Sequence, residues 1–410
     1  MEKINIQNNK RILVISEVFA PEEFLINDLV FTWKDQGKNV SVLTRNPSYP
    51  TGKILKGYKN YFFQQEKIND VPIFRVQFIP MYNKYKWIKI FNYLWNMLLG
   101  MLWALKNGSK YDSVFIYQTG PLTFSAIGII IKKIYNKKVT IWIQDVWPET
   151  VYAYGIANKG IGRLILEKFV KFIYSNCDNI TVSSPGFIPI INKYCLNKSV
   201  EYIPQWSLTS KISDLEINKG EISFPGKFNF VFAGNIGIAQ NLNNVILGFE
   251  LFVKRNSEKE IWLNIIGDGS ELLNLKLLSE MNEIPNIKFW GRVKADEMPS
   301  FYKKCDVLII SLKNKPIFNL TIPAKFQSYL NADKPIFGVI KGEVAKLILN
   351  NDIGWVASPD NLNEIASIFD LISNSNPKLI NKKGKNSLEL YRNQYNKDEI
   401  ISKFSELVFN

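Results

Sequence analysis

Four clusters in this 410-residue chain combine residue types and spacings that could do chemistry. Phe232-Ala-Gly-Asn-Ile-Gly237 closes an apolar run and opens onto a helical pattern over Asn244–Val253. Glycines Gly234 and Gly237, with Asn235 between them, would let backbone N–H groups approach a phosphate, and a helix start favours negative charge. A plain tight turn fits the same letters. Gly267-Asp268-Gly269 takes the equivalent place after the next apolar run, either as a turn or as a wall of a nucleotide pocket. Lys325, in Thr321-Ile322-Pro323-Ala324-Lys325, stands near a helix start, where the macrodipole disfavours a cation. It is either a solvated surface lysine or a cation kept for an anionic ligand. Finally, Trp142-Ile-Gln-Asp145-Val-Trp147-Pro-Glu149 puts two tryptophans and two carboxylates just past an apolar strand. Such a group can hold a sugar, or it can be a core tryptophan pair with carboxylates capping the next helix. The clustering weighs toward the sugar.

The elements that must position these residues read as alternating strands and helices. Arg11–Ser16 and Asn39–Thr44 are short apolar runs flanking a helical pattern that stops at Gly37. Val71–Phe78, Ser113–Tyr117, Lys138–Ile143 and Asn179–Val182 repeat the theme. The pattern restarts with Phe228–Ala233, Glu260–Ile266, Ile287–Trp290, Val307–Ile310 and Pro335–Val339. This predicts two α/β domains, each with a doubly wound parallel sheet. A length of 410 residues also exceeds what one core usually fills. The expected division is 1–207, 208–384 and a helical C-terminal segment 385–410 packing back on the first domain, with a linker around Leu208–Gly226.

Composition removes some chemistries. The chain has no histidine, which excludes histidine bases, triads and zinc sites. Three scattered cysteines and a polar start, MEKINIQNNK, suit a reducing cytosol. The net charge of +14 is uneven: residues 1–200 hold 26 Lys/Arg against 13 Asp/Glu, the rest 25 against 24. A basic first half calls for an anionic partner or surface. Lys84–Lys106 is rich in Trp, Phe, Leu and Met, and Lys89, Asn92 and Asn96 interrupt it. It fits an interfacial helix on an anionic membrane better than a spanning one. Phe124–Ile131, followed by four lysines, reads as core.

At these residues the chain resembles glycosyltransferase family 4, and within it the O-antigen and capsule N-acetyl-L-fucosamine transferases. The shared stretches, in order, are TRNPSYPTG (44–52), QDVWPE (144–149), VSSPGF (182–187), IPQW (203–206), FAGNIGIAQNL (232–242), IGDGSE (266–271), FWGRVKADEMP (289–299), TIPAKFQSYLNADKPIFG (321–338) and GEVAKLI (342–348). The resemblance implies a GT-B fold, two Rossmann-like domains facing across a cleft. It also implies a nucleotide-diphospho-sugar held mainly by the second domain, no metal or other cofactor, and retention at the anomeric carbon. Carried over by position, Gly234–Gly237 and Lys325 would face the diphosphate and Gly267–Gly269 the uridine. Arg292 would support the nucleotide, and Glu343 would lie near the ribose or donor sugar. The chain departs from the family pattern in places. Asn235 and Gln240 replace a common Arg and Lys, and Leu320 and Ser328 replace the usual pair of glutamates. The missing histidine is compatible with a 6-deoxy donor.

The expected activity is transfer of a sugar from a UDP-sugar to a polyprenyl-diphosphate-linked saccharide in O-antigen or capsule synthesis. It would run at the cytoplasmic face of the membrane, with no nucleic acid involved. Lys325 and preorganised N–H groups would stabilise the departing diphosphate. If a protein base is used, Asp145 is the first choice and Glu149 the next. A GT-B-shaped nucleotide-sugar epimerase and a basic nucleic-acid-binding protein are the rival expectations.

Overall fold

The computed structural model describes residues 10–49, 51–81, 85–153, 155–157, 159–208, 223–256, 258 and 260–409. Lys84 and most of the expected linker, 209–222, lie outside them. The chain divides into two compact units, residues 1–203 with 398–410, and residues 204–397.

Among the described residues, unit 1 holds strands β1 (Arg11–Ser16), β2 (Asn39–Arg45), β3 (Phe63–Ile68), β4 (Val71–Val76), β5 (Ser113–Gln118), β6 (Lys138–Ile143), β7 (Asn179–Val182) and β8 (Val200–Tyr202). They form one sheet in the order β3-β4-β2-β1-β5-β6-β7-β8, parallel except for the β3–β4 pair. That hairpin turns on Asn69-Asp70, both left-handed with φ of 48° and 59°, the backbone a two-residue type I′ turn requires. The helices are α1 (Leu25–Asp35), α2 (Lys86–Asn107), α3 (Ala126–Tyr135), α4 (Glu149–Ala153), α5 (Gly160–Asn176), α6 (Ile188–Asn192) and, from the end of the chain, α15 (Lys397–Phe409).

Unit 2 holds β9 (Phe228–Ala233), β10 (Ile261–Ile266), β11 (Ile287–Gly291), β12 (Val307–Ser311), β13 (Ile336–Val339) and β14 (Gly354–Ala357). These are all parallel, in the order β11-β10-β9-β12-β13-β14. Its helices are α7 (Leu242–Arg255), α8 (Leu272–Met281), α9 (Met298–Lys304), α10 (Pro316–Leu320), α11 (Lys325–Asn331), α12 (Glu343–Asn350), α13 (Leu362–Ser373) and α14 (Pro377–Gln394). The central strands are continuous apolar runs because helices cover both faces of a parallel sheet. On one face of β9, Phe230 meets Phe369 of α13, which also contacts Phe249 and Phe252 of α7. The other face packs against Phe326, Tyr329 and Leu330 of α11.

The expected C-terminal segment 385–410 is not one element. Residue 385 falls inside α14, which buries Ile380, Gly384, Ser387 and Leu390 within unit 2. A Cβ at Gly384 would stand 2.6 Å from Asp333 O, so the helix lies directly on the α11–β13 turn. The chain passes to unit 1 only at α15. There Phe404 packs on Phe115 and Trp142, and Phe409 on Trp33. The first unit ends at Ile203, a few residues before the expected 207.

Candidate active site

In unit 2 the chain runs outward from β9 through β10 to β11, then returns to β12 on the other side of β9. The carboxyl ends of β9 and β12 therefore form the switch point, where open α/β sheets leave a crevice for ligands. The loops there interlock. Gly234 N–H donates to Ile266 O at 3.0 Å, Ile236 N–H to Asp268 O at 2.8 Å, and Lys313 N–H to Ala239 O at 2.8 Å. Gly267, at φ 140°, lies so close to the first loop that a Cβ would come 1.8 Å from Gly234 O. A Cβ at Gly269 would come 2.3 Å from Ile236 O. These glycines thus permit two loops to pack backbone on backbone. Gly234 and Asn235 are exposed at the top of the pair. The helix does not open directly from Gly237: a 3-10 turn, Ile238–Gln240, and a left-handed Asn241 precede α7. Gln240 Oε1 accepts the Gly237 N–H at 3.0 Å, so this residue supports the loop.

Lys325 is the first residue of α11. Part of its stem is accessible, yet its Nζ is buried without a hydrogen-bond partner. It sits 3.8 Å from the centre of the Phe232 ring, and a Cβ on Gly234 would be 2.9 Å from it. Desolvation by burial pushes its pKa down to about 7. One turn along the same face, Tyr329 OH accepts the Ala233 N–H at 2.9 Å and donates to Ala233 O at 3.0 Å. It fixes the strand end from which Gly234 leaves. Ser311, at the end of β12, is 1% exposed with an unpartnered hydroxyl. Sequence reasoning gave no role of their own to Phe232, Tyr329 and Ser311. The i,i+4 spacing of Lys325 and Tyr329 was the available signal for the second.

The other expected residues scatter. Asp268 is exposed, and its carboxylate accepts the Gly269 N–H at 2.8 Å. Arg292 is exposed after the edge strand β11. Glu343 opens α12 and pairs with the exposed Lys346 at 3.0 Å, a contact worth little in water. The glycine before it, Gly342, has φ 80°, and a Cβ there would meet Asn319 O at 1.8 Å, which presses this loop onto α10. Of the positions where the resemblance expects glutamates, Leu320 ends α10 and Ser328 Oγ lies 3.3 Å from Ser207 Oγ.

Asp145 and Glu149 belong to unit 1, beyond β6. Burial raises the Asp145 pKa to about 6, partly opposed by the Thr150 hydroxyl donating to it at 3.0 Å. Burial also raises Glu149, whose Oε2 is buried without a partner. The tryptophan of this segment's strand is not a sugar platform. Trp142 is fully buried, donates from Nε1 to Ile203 O at 3.0 Å and packs between Tyr117 and Phe404. It falls inside β6, where both sheet faces are covered.

The architecture is the α/β two-domain GT-B fold. Comparison with known proteins agrees. Residues 214–389 match the family model described as Glycosyl transferases group 1. The chain is 25% identical over 272 residues to WbjE of Pseudomonas aeruginosa, named as a glycosyltransferase; the match spans 64% of this chain and 65% of that protein's length. It is 23% identical over 337 residues, 78% of this chain and 81% of the relative, to WcaI of Escherichia coli K12, named as a colanic acid biosynthesis glycosyl transferase. Among solved structures, Anabaena HepE in complex with UDP and glucose superimposes with a TM-score of 0.67 at 12% identity, covering 97% of this chain and 99% of that one. Sucrose-phosphate synthase from Thermosynechococcus elongatus gives 0.68 at 14%, covering 97% and 98%. The matched domain and these relatives make the chain similar to group 1 glycosyltransferases, and the superposed structures share its fold.

Proposed function

We propose that this chain transfers a sugar from a nucleotide-diphospho-sugar, with UDP as the nucleotide, to a polyprenyl-diphosphate-linked saccharide in O-antigen or capsule synthesis. One observation carries the donor half: the buried, unpartnered Lys325 ammonium beside Gly234. An isolated buried cation is costly unless an anion completes the site. The exposed backbone at Asn235 adds an N–H donor to the same crevice, since the Gly234, Ile236 and Gly237 N–H groups are spent holding the loops together. The leaving diphosphate gains charge as the glycosidic bond breaks, and Lys325 meets that charge without proton transfer or metal. A 6-deoxy amino sugar donor and retention at the anomeric carbon remain part of this reading, as does Asp145 as the base nearest its working range.

The lipid-linked acceptor rests on α2. Its Trp87, Phe91, Leu94, Leu98, Leu102 and Leu105 recur at helical spacing and are 47–62% exposed, an unburied apolar stripe. The 24-residue stretch Trp87–Lys110 is long and apolar enough to cross a membrane by composition, though only one third of its most apolar window is buried. The stripe continues onto the neighbouring loop, where the exposed Phe62 lies 6.0 Å from Trp95. Residues 71–144 hold ten Lys/Arg against one acidic residue, Asp112. An exposed stripe of aromatics and leucines within a lysine-rich stretch of chain suits a helix lying in an anionic interface. The protein would then sit peripherally on the cytoplasmic leaflet. Phe124–Ile131, the second apolar run, is mostly buried core.

The test is nucleotide release from purified protein given UDP-sugars singly, with and without membrane extract carrying lipid-linked saccharide. Acceptor-dependent UDP release from one donor, abolished by Lys325→Ala, is the expected result. Release with no UDP-sugar but with a GDP-sugar would overturn the nucleotide assignment, and release with neither would overturn the transferase reading.

A further inference from the structure

The helical face of unit 1 carries exposed apolar surface beyond α2. Helices α2, α3 and α5 each lead from the end of one strand to the start of a later parallel one: β4 to β5, β5 to β6, β6 to β7. Right-handed crossovers put all three on one side of the sheet, running the same way. Gly100 of α2 packs on Ile127 of α3, and α3 touches α5 on its other flank. Between them α3 is sunken, for of its ten residues only Lys133 and Ile134 are exposed. α2 and α5 are therefore two ridges on either side of a trough.

A surface helix normally turns a polar face to water. α5 does not. Its inner face buries Val170, Ile173 and Tyr174. On the outer face Ile161, Leu164, Ile165 and Phe172 recur at helical spacing and are 43–77% exposed. Lys168 lies among them and Lys171 beside them, both exposed. The one acid on the helix, Glu167, is already taken: its Oε1 accepts from Arg163 Nε at 2.8 Å and from Tyr152 OH at 3.2 Å. What the outer face offers besides apolar surface is thus positive charge. Together the three helices carry eight Lys/Arg against that single acid.

The mixture identifies the occupant. A second copy of this chain laid face to face would set Lys168 and Lys171 against their own kind. A bilayer with anionic lipid takes the aliphatic side chains below its headgroups and leaves the lysines among the phosphates. At 17 residues, with Glu167 and Lys168 midway, α5 is too short and too charged to cross it. We propose that α5 is a second bilayer contact, so that unit 1 rests on an anionic membrane surface by two parallel ridges, α2 and α5, with its sheet lying along the membrane plane. This deepens the bilayer reading given for α2. One ridge would leave the unit free to roll about the helix axis, and two lines of contact fix which way it faces. The contact also reaches the candidate base: Tyr152, held by Glu167 of α5, belongs to α4, whose Thr150 donates to Asp145. Seating Ile161–Ile165 in lipid would therefore hold the Asp145 segment beside the bilayer.

The three native cysteines are buried, so Leu164→Cys in the full chain can be labelled selectively with a polarity-sensitive fluorophore. Gln36→Cys, exposed at the end of α1 on the other side of the sheet, is the reference. The probes are phosphatidylcholine vesicles with and without phosphatidylglycerol, some with brominated acyl chains. With the anionic vesicles the label at 164 should shift to the blue and be quenched by bromine, and the label at 36 should do neither. Ile161→Ser with Ile165→Ser should melt like the wild type and lower the vesicle partition coefficient at least tenfold. Lys168→Gln with Lys171→Gln should do the same and weaken the dependence on phosphatidylglycerol. A label at 164 that stays water-like on bound protein would overturn the proposal and leave the α2 reading standing. A blue shift without vesicles, with a doubled mass in solution, would mean that a second copy covers the face and would equally overturn it. Binding lost in the α5 variants but kept in Trp87→Ser with Phe91→Ser would support α5 and count against α2 alone, and no vesicle binding by the wild type would overturn both.

Discussion

Lys325 makes donor binding a proton-linked event. Free in water a lysine titrates near 10.5, but burial brings this one to about 7. At ~1.4 kcal/mol per pKa unit, the folded protein carries a penalty of up to ~5 kcal/mol once both folded and unfolded chains are protonated. The depressed value belongs to a base, so between pH 7 and 10.5 the unfolded chain binds more protons and stability rises with pH across that window. A diphosphate beside Nζ restores the charged form. At pH 8 about nine-tenths of the free protein has a neutral Lys325, so each bound diphosphate draws in about 0.9 proton; at pH 6 it draws in about 0.1. The dissociation constant for a UDP-sugar, whose diphosphate diester does not titrate here, should be flat below pH 7 and rise about tenfold per unit above it. Calorimetry in buffers of different ionisation enthalpy reads the proton uptake directly. Lys325→Met should remove the slope, weaken binding and raise the melting temperature by several degrees, because it deletes the buried charge and keeps its packing. A dissociation constant that stays level from pH 6 to 9, or a Lys325→Met protein that melts lower, would refute the reasoning.

Other variants probe the supporting parts. Tyr329→Phe leaves the Ala233 N–H and C=O buried and unpaired, which should cost about 1–3 kcal/mol of stability and weaken UDP-sugar binding while leaving Lys325 in place; denaturant melts and calorimetry check this. Gly267→Ala drives a methyl onto Gly234 O and should lower stability by more than ~3 kcal/mol, or leave no soluble protein, whereas an unchanged melt would show that the loops are not interlocked. Asp145 has a raised pKa of about 6, so its ionised form is penalised above that pH and stability falls as pH rises from 3.8 to 6. Asp145→Asn should therefore be at least as stable at pH 7, while acceptor-dependent turnover loses its rise through pH 6; a profile unchanged by the variant would remove Asp145 from the chemistry. Trp87→Ser with Phe91→Ser should abolish cosedimentation with vesicles containing anionic lipid and leave UDP-sugar affinity alone, and equal binding of the double variant would show that the stripe does not enter the bilayer.

Among the parallel strands the short β8 and β14 went unread, while the others were legible because burial on both faces leaves continuous apolar runs. β3 was not, since Phe63–Ile68 alternates exposed with half-buried positions at the sheet edge and carries Gln, Gln, Glu and Lys. The break between α14 and α15 was equally invisible: Tyr395 and Asn396 interrupt the helical pattern with neither glycine nor proline. At the donor crevice, the glycine loops declared themselves by position after apolar runs. What spacing could not show was that Lys325 is buried rather than extended into water. That depends on Phe232 lying beneath it and on the side chain Gly234 lacks, both tertiary facts. The tryptophan cluster misled for a related reason, because a residue at a strand's end looks the same in one dimension whether it points into the core or out of it. The exposed face of α2 was implied by aromatics flanked by lysines, while the side that meets α3 became plain only from Gly100 packing on Ile127.

The crossing of α15 into unit 1 has a consequence for how the molecule is made. Residues 398–410 leave the ribosome only after the whole of unit 2, about 10–40 s later than Ile203 at ordinary synthesis rates. Until then Trp33, Phe115 and Trp142 lack the rings of Phe404 and Phe409 that cover them. The half translated first is thus the last to be completed, and during that interval it offers an open aromatic cleft alongside the apolar stripe of α2. Early contact of the nascent unit with lipid or a chaperone would shield both surfaces, and losing the final helix would cripple the opposite end of the chain from the one it is written in.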